Sequence, residues 1–146
     1  MTTPPTTRPA ESSASPESAH PTSSPPPTGD ARRALGAYGE TLAARHLTAT
    51  GMVLLDRNWR GESGEIDLVL RDGGVLVICE VKTRTSESCG TPHEAVDQAK
   101  LDRLRRLASQ WLRAHHVHPD DVRIDLVAVH RPRRGPSSLE HVRGLG

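Results

Sequence analysis

Two apolar runs joined by a pair of glycines constrain the fold of this chain more than any other feature. Residues 64–70 and 75–81 are rich in Val, Ile and Leu, and Asp72-Gly73-Gly74 separates them. A two-residue glycine loop is a favoured connection of an antiparallel hairpin because glycine adopts positive φ without steric cost. The second run is apolar on both faces, which is typical of a buried central strand. The pattern therefore predicts a hairpin at the centre of a sheet.

Charged residues lie near the open end of this hairpin. If Gly73-Gly74 forms the loop, Asp67 lies opposite Glu80 and Glu65 lies opposite Lys82, with all four side chains on one face. Directly opposed side chains are roughly 5 Å apart, and two carboxylates at that distance repel unless they share a proton or bind a cation. The hairpin therefore predicts a divalent metal site. The prediction depends on a loop with an even number of residues, since an odd loop separates the charges onto opposite faces.

These residue types suit metal-assisted hydrolysis of a phosphodiester. Mg²⁺ and Mn²⁺ favour hard oxygen ligands and keep several waters, so we expect Asp67, Glu80 and the carbonyl of Val81 to bind one of these ions. Lys82 is one of only two lysines in a chain that otherwise uses arginine. We expect it to orient or activate the attacking water and to offset negative charge at phosphorus. The alternative is an ordinary solvated strand end, in which Asp67 pairs with an arginine.

With these residues in place, the chain resembles the PD-(D/E)xK nuclease superfamily and, within it, the YraN-like family of bacterial proteins, which is similar to archaeal Holliday-junction resolvases. The resemblance spans about residues 33–130 and implies a restriction-endonuclease-like α/β fold, in which helices flank a mixed sheet made of an antiparallel hairpin and a parallel strand. The matching segments are residues 36–40, 57–60, 64–68, 80–84, 94–96 and 123–125, with Pro92 and Lys100.

The resemblance also implies roles for individual residues. Asp67, Glu80 and Lys82 match the catalytic positions of the superfamily. Glu40 matches the acidic residue that the first helix of the superfamily contributes. The proline that precedes the first aspartate in the superfamily is replaced here by Ile66, and this replacement removes no ligand.

A first helix is predicted to carry Glu40. Asp30 is expected to cap this helix, which runs to about Thr50 and ends at Gly51. Helical spacing places Glu40 on a stripe of small apolar residues that includes Ala43. A surface glutamate should avoid such a stripe, so we expect Glu40 to point inward at the metal site. The alternative is that it lies at the edge of the stripe in water.

Basic residues on the surrounding elements are candidates for phosphate contacts. A short strand is predicted at 52–55, a second helix from a capping box at Thr91 to about His115, and a last core strand at 122–129 that is parallel to the central strand. The alternatives to phosphate binding are ion pairs with neighbouring carboxylates and an ordinary solvated helix face. The candidates are Arg57, Asn58, Arg60, Arg84, Lys100 and Arg103.

Composition indicates the domain organisation and the cellular location of the protein. Residues 1–29 hold eight of the twelve prolines and no Leu, Ile, Val or aromatic residue, which is typical of a disordered leader. Residues 30–146 are expected to form one endonuclease-like domain. Neither a signal-peptide pattern nor a membrane-spanning run is visible, and two cysteines do not predict a disulfide framework, so we expect a cytoplasmic protein. The histidines at 115, 116 and 118 lie at a helix end, where zinc is not the favoured interpretation.

Together these features predict a protein that binds nucleic acid, DNA in the first place, and cleaves phosphodiester bonds with Mg²⁺ or Mn²⁺, with branched DNA among the expected substrates. The formal net charge of +1 does not by itself indicate a nucleic-acid binder. The chain has two Trp, one Tyr and no Phe, which favours recognition of backbone shape over base stacking. The alternative is a non-catalytic nucleic-acid-binding or complex-forming module with the same fold. A homodimer is compatible with either function.

Overall fold

The computed structural model describes residues 28–85 and 96–146. In chain order the elements are α1 (Gly29–Ala49), β1 (Val53–Gly61), β2 (Gly64–Asp72), β3 (Val75–Arg84), α2 (Gln98–His115), β4 (Asp121–His130) and β5 (Ser138–Val142). The strands form one sheet in the order β1-β2-β3-β4-β5, in which β3 and β4 are parallel and the other neighbours are antiparallel. The mixed sheet and its flanking helices confirm the predicted α/β class.

The β2–β3 hairpin has the predicted register. Asp72 pairs with Val75, so Gly73 and Gly74 form a two-residue loop, and Gly73 has the positive φ of 61° that this turn requires. The even loop on which the site prediction depends is therefore present. The parallel neighbour of β3 is β4, reached through α2, as the sequence predicted.

The sheet is buried on both faces. Along β3, Val77 and Cys79 pack in a core with α1, whereas Leu76 and Ile78 pack in a second core with α2. This alternation confirms β3 as a buried central strand. From α1 the first core takes Ala43, Ala44 and Leu47, and from α2 the second core takes Leu101, Leu104, Leu107, Ala108 and Trp111.

Helix α1 begins earlier than the sequence predicted. Its N-cap is Thr28, whose Oγ1 accepts the Ala31 N–H at 3.2 Å, and not Asp30. Thr28 is the residue with extended backbone, whereas Asp30 lies inside the first turn, where its charge is favourable near the N-terminus of the helix. The predicted end of the helix is confirmed to within two residues, with Thr50 as the C-cap.

Strand β1 is longer than predicted. It continues from Val53 to Gly61 because β2 offers a pairing partner along its whole length, with Trp59 opposite Ile66 and Gly61 opposite Gly64. The basic residues at 57–60, which were expected to follow a short strand, therefore lie within an edge strand.

Helix α2 begins at Gln98, with Asp97 as its N-cap. The prediction of one helix running on from the capping box at Thr91 is wrong at residues 96–97, because Asp97 has the extended backbone of an N-cap, where a helix cannot pass through. Thr91 itself lies outside the described residues. Within the ranges that the structure describes, no helix is long and apolar enough to cross a membrane.

Candidate metal and nucleic-acid site

At the open end of the β2–β3 hairpin, the side chain of Asp67 accepts a hydrogen bond from the backbone of β3. The paired register of the two strands ends with Leu68 opposite Cys79. Asp67 Oδ2 then accepts the N–H of Val81 at 2.8 Å. The predicted pairing of Asp67 with Glu80 lies one residue beyond these last paired residues. There the Val81 N–H bonds the Asp67 side chain and holds its carboxylate at the carboxyl end of β3.

The backbone around Asp67 is irregular. Ile66 packs in the α2 core and Leu68 packs in the α1 core, although side chains two apart on a regular strand share a face. On the partner strand Arg57 lies opposite Leu68 and Trp59 opposite Ile66, and the residue between them, Asn58, has a φ of 49°. Regular alternation, from which the shared face was predicted, does not hold here. Left-handed backbone in a non-glycine residue tends to occur at functional sites, and asparagine tolerates it better than most residues.

Burial and neighbouring charge raise the pKa of Asp67 to about 7. Loss of solvent contributes most, and the charge of Glu80 contributes next, while the Val81 N–H acts in the opposite direction. Near neutral pH the carboxylate is therefore poised between its two protonation states. The sequence predicted this condition, in which two carboxylates require a cation or a shared proton.

Close packing of α1 against β3 brings Glu40 toward the same place. Gly39 lies so near Thr83 that a Cβ at this position would overlap the threonine side chain. Glu40 is partly buried, and burial raises its pKa although a hydrogen bond from Asn58 lowers it. The negative charge of Glu80 also raises the pKa of Glu40, which places these carboxylates within electrostatic range of one another. This arrangement is consistent with an inward-facing Glu40.

Both lysines of the chain converge on Glu80. Lys100 Nζ lies 2.9 Å from Glu80 Oε1, and both side chains are mostly buried. The charge of Lys100, followed by burial, lowers the pKa of Lys82, whereas the charge of Glu80 raises it. Lys100 was predicted to contact phosphate, but in this structure its ammonium group pairs with Glu80.

The predicted arginine contacts are spread over the surface near the site. Arg57 is exposed and places one guanidinium nitrogen 3.4 Å from Thr41 Oγ1. Arg60 pairs with Glu65 at 3.4 Å, which is the ion-pair alternative considered for it. Arg103 is half-buried near Gly64 on β2. Arg84 ends β3, and its carbonyl accepts the Arg131 N–H at 2.8 Å.

The metal site expected from the sequence consists of oxygen donors only. Its expected donors are two carboxylates, Asp67 and Glu80, and the Val81 carbonyl. Among the described residues no group of three or more His, Cys, Asp or Glu side chains is placed to hold a metal ion. A small protein ligand set suits Mg²⁺ or Mn²⁺, which retain several waters, better than it suits zinc. His115 instead stacks on Trp111 with 4.0 Å between ring centroids.

Asp125 belongs to a structural network and not to the site. It is fully buried, and its carboxylate accepts bonds from Arg123 Nε at 2.8 Å, His141 Nε2 at 2.8 Å and the Gly144 N–H at 3.0 Å. Burial acts to raise the pKa of Asp125, but these bonds outweigh it and the pKa is lowered. The short contacts with Arg123 make this pair the centre of the network. No sequence signal pointed to His141, because β5 lies beyond residues 33–130, over which the family resemblance extends.

Residues 39–129 match the family model described as "Uncharacterised protein family UPF0102". The chain belongs to the UPF0102 family. This UPF0102 chain is 68% identical over 115 residues to a UPF0102 protein of Nocardioides sp., an alignment that covers 79% of this chain and 93% of the relative. It is 59% identical over 116 residues to a UPF0102 protein of Kineococcus radiotolerans, with 79% and 95% covered. A UPF0102 protein of Streptomyces coelicolor is 56% identical over 118 residues, with 80% and 91% covered.

Membership of UPF0102 confirms the family-level resemblance to YraN-like proteins. The matched range begins one residue before Glu40 and extends past β3 to the end of β4. All the candidate site residues of this UPF0102 chain, from Glu40 to Arg103, therefore lie inside the region that defines the family.

Proposed function

We propose that this protein binds nucleic acid and cleaves phosphodiester bonds with Mg²⁺ or Mn²⁺, as a restriction-endonuclease-like domain of the PD-(D/E)xK type. The observation that carries the proposal is the placement of Asp67. Its carboxylate is held by the Val81 N–H beside Glu80, and burial with the charge of Glu80 raises its pKa to about 7. Two carboxylates kept together at the end of a buried strand favour a bound cation.

Each residue of the site has a chemical role in this proposal. Asp67, Glu80 and the Val81 carbonyl would hold the ion, which when bound acts as a Lewis acid toward phosphate and water. Lys82 orients the attacking water and donates to a phosphate oxygen as negative charge develops. Glu40, hydrogen-bonded by Asn58, adds a further carboxylate at the edge of the site.

The substrate is expected to lie along the arginines that surround the carboxyl end of β3. The backbone N–H of Arg131 donates there to the Arg84 carbonyl. Arg57 and Arg60 extend the positive surface along β1. The guanidinium group of Arg131 covers the Tyr38 ring at 4.5 Å from its centroid, so the only tyrosine is already engaged. Contacts with phosphates and with backbone shape therefore fit this surface better than base stacking does.

A non-catalytic nucleic-acid-binding module is the second candidate. The ion pair between Lys100 and Glu80 favours it, because a lysine satisfies one of the two carboxylates without any metal. A nuclease would cleave a bound nucleic acid when Mn²⁺ is present, whereas a binding module would leave it intact.

Cleavage assays separate the two candidates. Branched, single-stranded and duplex DNA and RNA are incubated with the wild-type chain, Asp67→Asn and Lys82→Ala, in Mn²⁺ or in chelator. We expect metal-dependent cleavage by the wild type and a loss of at least about 100-fold in both variants. Asp102→Asn, which alters an exposed carboxylate on α2, is the matched control and should cut normally.

One result would contradict the nuclease proposal, and another would contradict the role assigned to Lys82. Salt-sensitive binding by all the proteins without cleavage of any substrate would favour the non-catalytic module. Cleavage by Lys82→Ala at the wild-type rate would show that the lysine has no role in the chemistry.

A further inference from the structure

Lys100 is held in place by its helix as well as by its ion pair. It lies in the first turn of α2, and its backbone N–H donates to the N-cap carboxylate of Asp97 at 2.8 Å. Its side chain is 20% exposed, and that of its partner Glu80 is 11% exposed. Because its side chain is mostly buried, Lys100 has fewer rotamers to lose on pairing than an exposed surface lysine has.

The two carboxylates of the site are satisfied in different ways. Glu80 forms an ion pair through Oε1 with the ammonium group of Lys100, whereas Asp67 accepts a hydrogen bond from the backbone N–H of Val81. The ammonium group of Lys100 thus occupies an oxygen that a bound metal ion would use. Helix α2 packs against the face of the sheet that contains Leu76 and Ile78, and this packing places the cation beside Glu80 in the folded domain.

We infer that Lys100 is a tethered cation that competes with the divalent metal ion for Glu80. This inference rests on the proposed metal site at Asp67 and Glu80. In the metal-free protein Lys100 offsets the charge of Glu80, so the paired carboxylates are tolerated. A metal ion must compete with this ammonium group for Oε1, which weakens binding of the ion and favours divalent over monovalent cations.

The competition is measured by titrating Mn²⁺ into the full-length chain at one fixed pH, with calorimetry for affinity and thermal unfolding for stability. Lys100→Met should bind Mn²⁺ roughly fivefold more tightly than wild type, the equivalent of ~1 kcal/mol for a partly exposed ion pair. The same variant should have a lower melting temperature in chelator, because Glu80 loses its partner. Lys100→Arg keeps a cation and should remain near the wild-type affinity.

Two controls distinguish direct competition from a general change of charge. Lys82→Met removes the other lysine near Glu80, and Arg106→Met removes an exposed positive charge from α2. Both should change Mn²⁺ affinity less than Lys100→Met does. Equal effects of Lys82→Met and Lys100→Met would overturn direct competition and leave only an effect of net charge.

The remaining outcomes separate this inference from the proposed function. If wild type and Lys100→Met bind Mn²⁺ with the same affinity, the competition is refuted while the metal site stands. If neither protein binds Mn²⁺, the metal site and the competition are both refuted. Binding that appears only in Lys100→Met would support the competition in its strongest form.

Discussion

Substitution of Asp67 by asparagine should stabilise the metal-free protein at alkaline pH. Asparagine has almost the same shape as aspartate, and its carbonyl oxygen can still accept the Val81 N–H that Asp67 Oδ2 accepts at 2.8 Å. It carries no charge, so it removes the repulsion by Glu80 and the cost of burying an ionised group. Most substitutions in a protein interior destabilise it, which makes an increase in stability here a distinctive result.

The pKa of Asp67 determines the expected size and sign of this effect. Its value is about 7 in the folded protein against an ordinary 3.8, and one pKa unit corresponds to about 1.36 kcal/mol. The folded state therefore binds more protons than the unfolded state between these two values, and stability falls as pH rises through this window. Above pH 7 the ionised carboxylate costs at most ~4 kcal/mol, and we expect roughly half of this because Asp67 is only partly buried.

Urea unfolding in chelator at pH 4.5, 6 and 8 measures this difference, with tryptophan fluorescence as the signal. Asp67→Asn should exceed wild type by about 2 kcal/mol at pH 8 and by little at pH 4.5. Asp102→Asn is the control and should show no such dependence on pH. A difference that is equal at pH 4.5 and pH 8, or a variant less stable than wild type at pH 8, would refute the argument from buried repulsion. Adding Mn²⁺ should stabilise wild type but not Asp67→Asn.

Three further results are expected. Gly39→Ala should lower the free energy of unfolding by about 1–3 kcal/mol, because the added Cβ overlaps Thr83. Gly36→Ala, whose Cβ meets no atom within 4 Å, should raise the free energy of unfolding by up to ~1 kcal/mol. Urea titration of both variants measures these changes. Asp125→Asn should lower the free energy of unfolding by about 3–5 kcal/mol at neutral pH. In wild type the stabilisation by ionised Asp125 should be lost as pH falls through its lowered pKa, and unfolding measured across an acid pH series checks this. Deletion of residues 1–27 should change the melting temperature by less than about 2 °C, since their composition offers no apolar core; a larger fall in a calorimetric scan would contradict this.

Local patterns were sufficient to predict the hairpin and its register. The turn preference of Gly73-Gly74 and the period-two pattern of the runs around it depend only on neighbours in the chain, and the pairing of β2 with β3 from Asp72–Val75 to Leu68–Cys79 follows from them. The parallel placement of β4 was also predictable, because a helix between two strands of one sheet favours that connection.

Element boundaries and ion-pair partners depended on distant parts of the chain. The extension of β1 to Gly61 was decided by the length of β2, and the sequence near residue 55 carries no sign of it. The packing of Gly39 on Thr83, which brings Glu40 within electrostatic range of Glu80, requires contact between α1 and β3, and these elements are separated in the chain by two strands. The residues next to these positions in the sequence indicate neither the extension of β1 nor the contact between Gly39 and Thr83.

Lys100 shows this division within a single residue. Its positive charge and the family resemblance marked it as a candidate, and the sequence placed it near the start of a helix. Its partner was decided by the way α2 packs on β3, which brings its ammonium group to Glu80 at 2.9 Å and beside Lys82. A sequence specifies which charges are available and on which element each lies. Which charges meet, and how far burial strengthens their interaction, is decided only when the helices close over the sheet and exclude water.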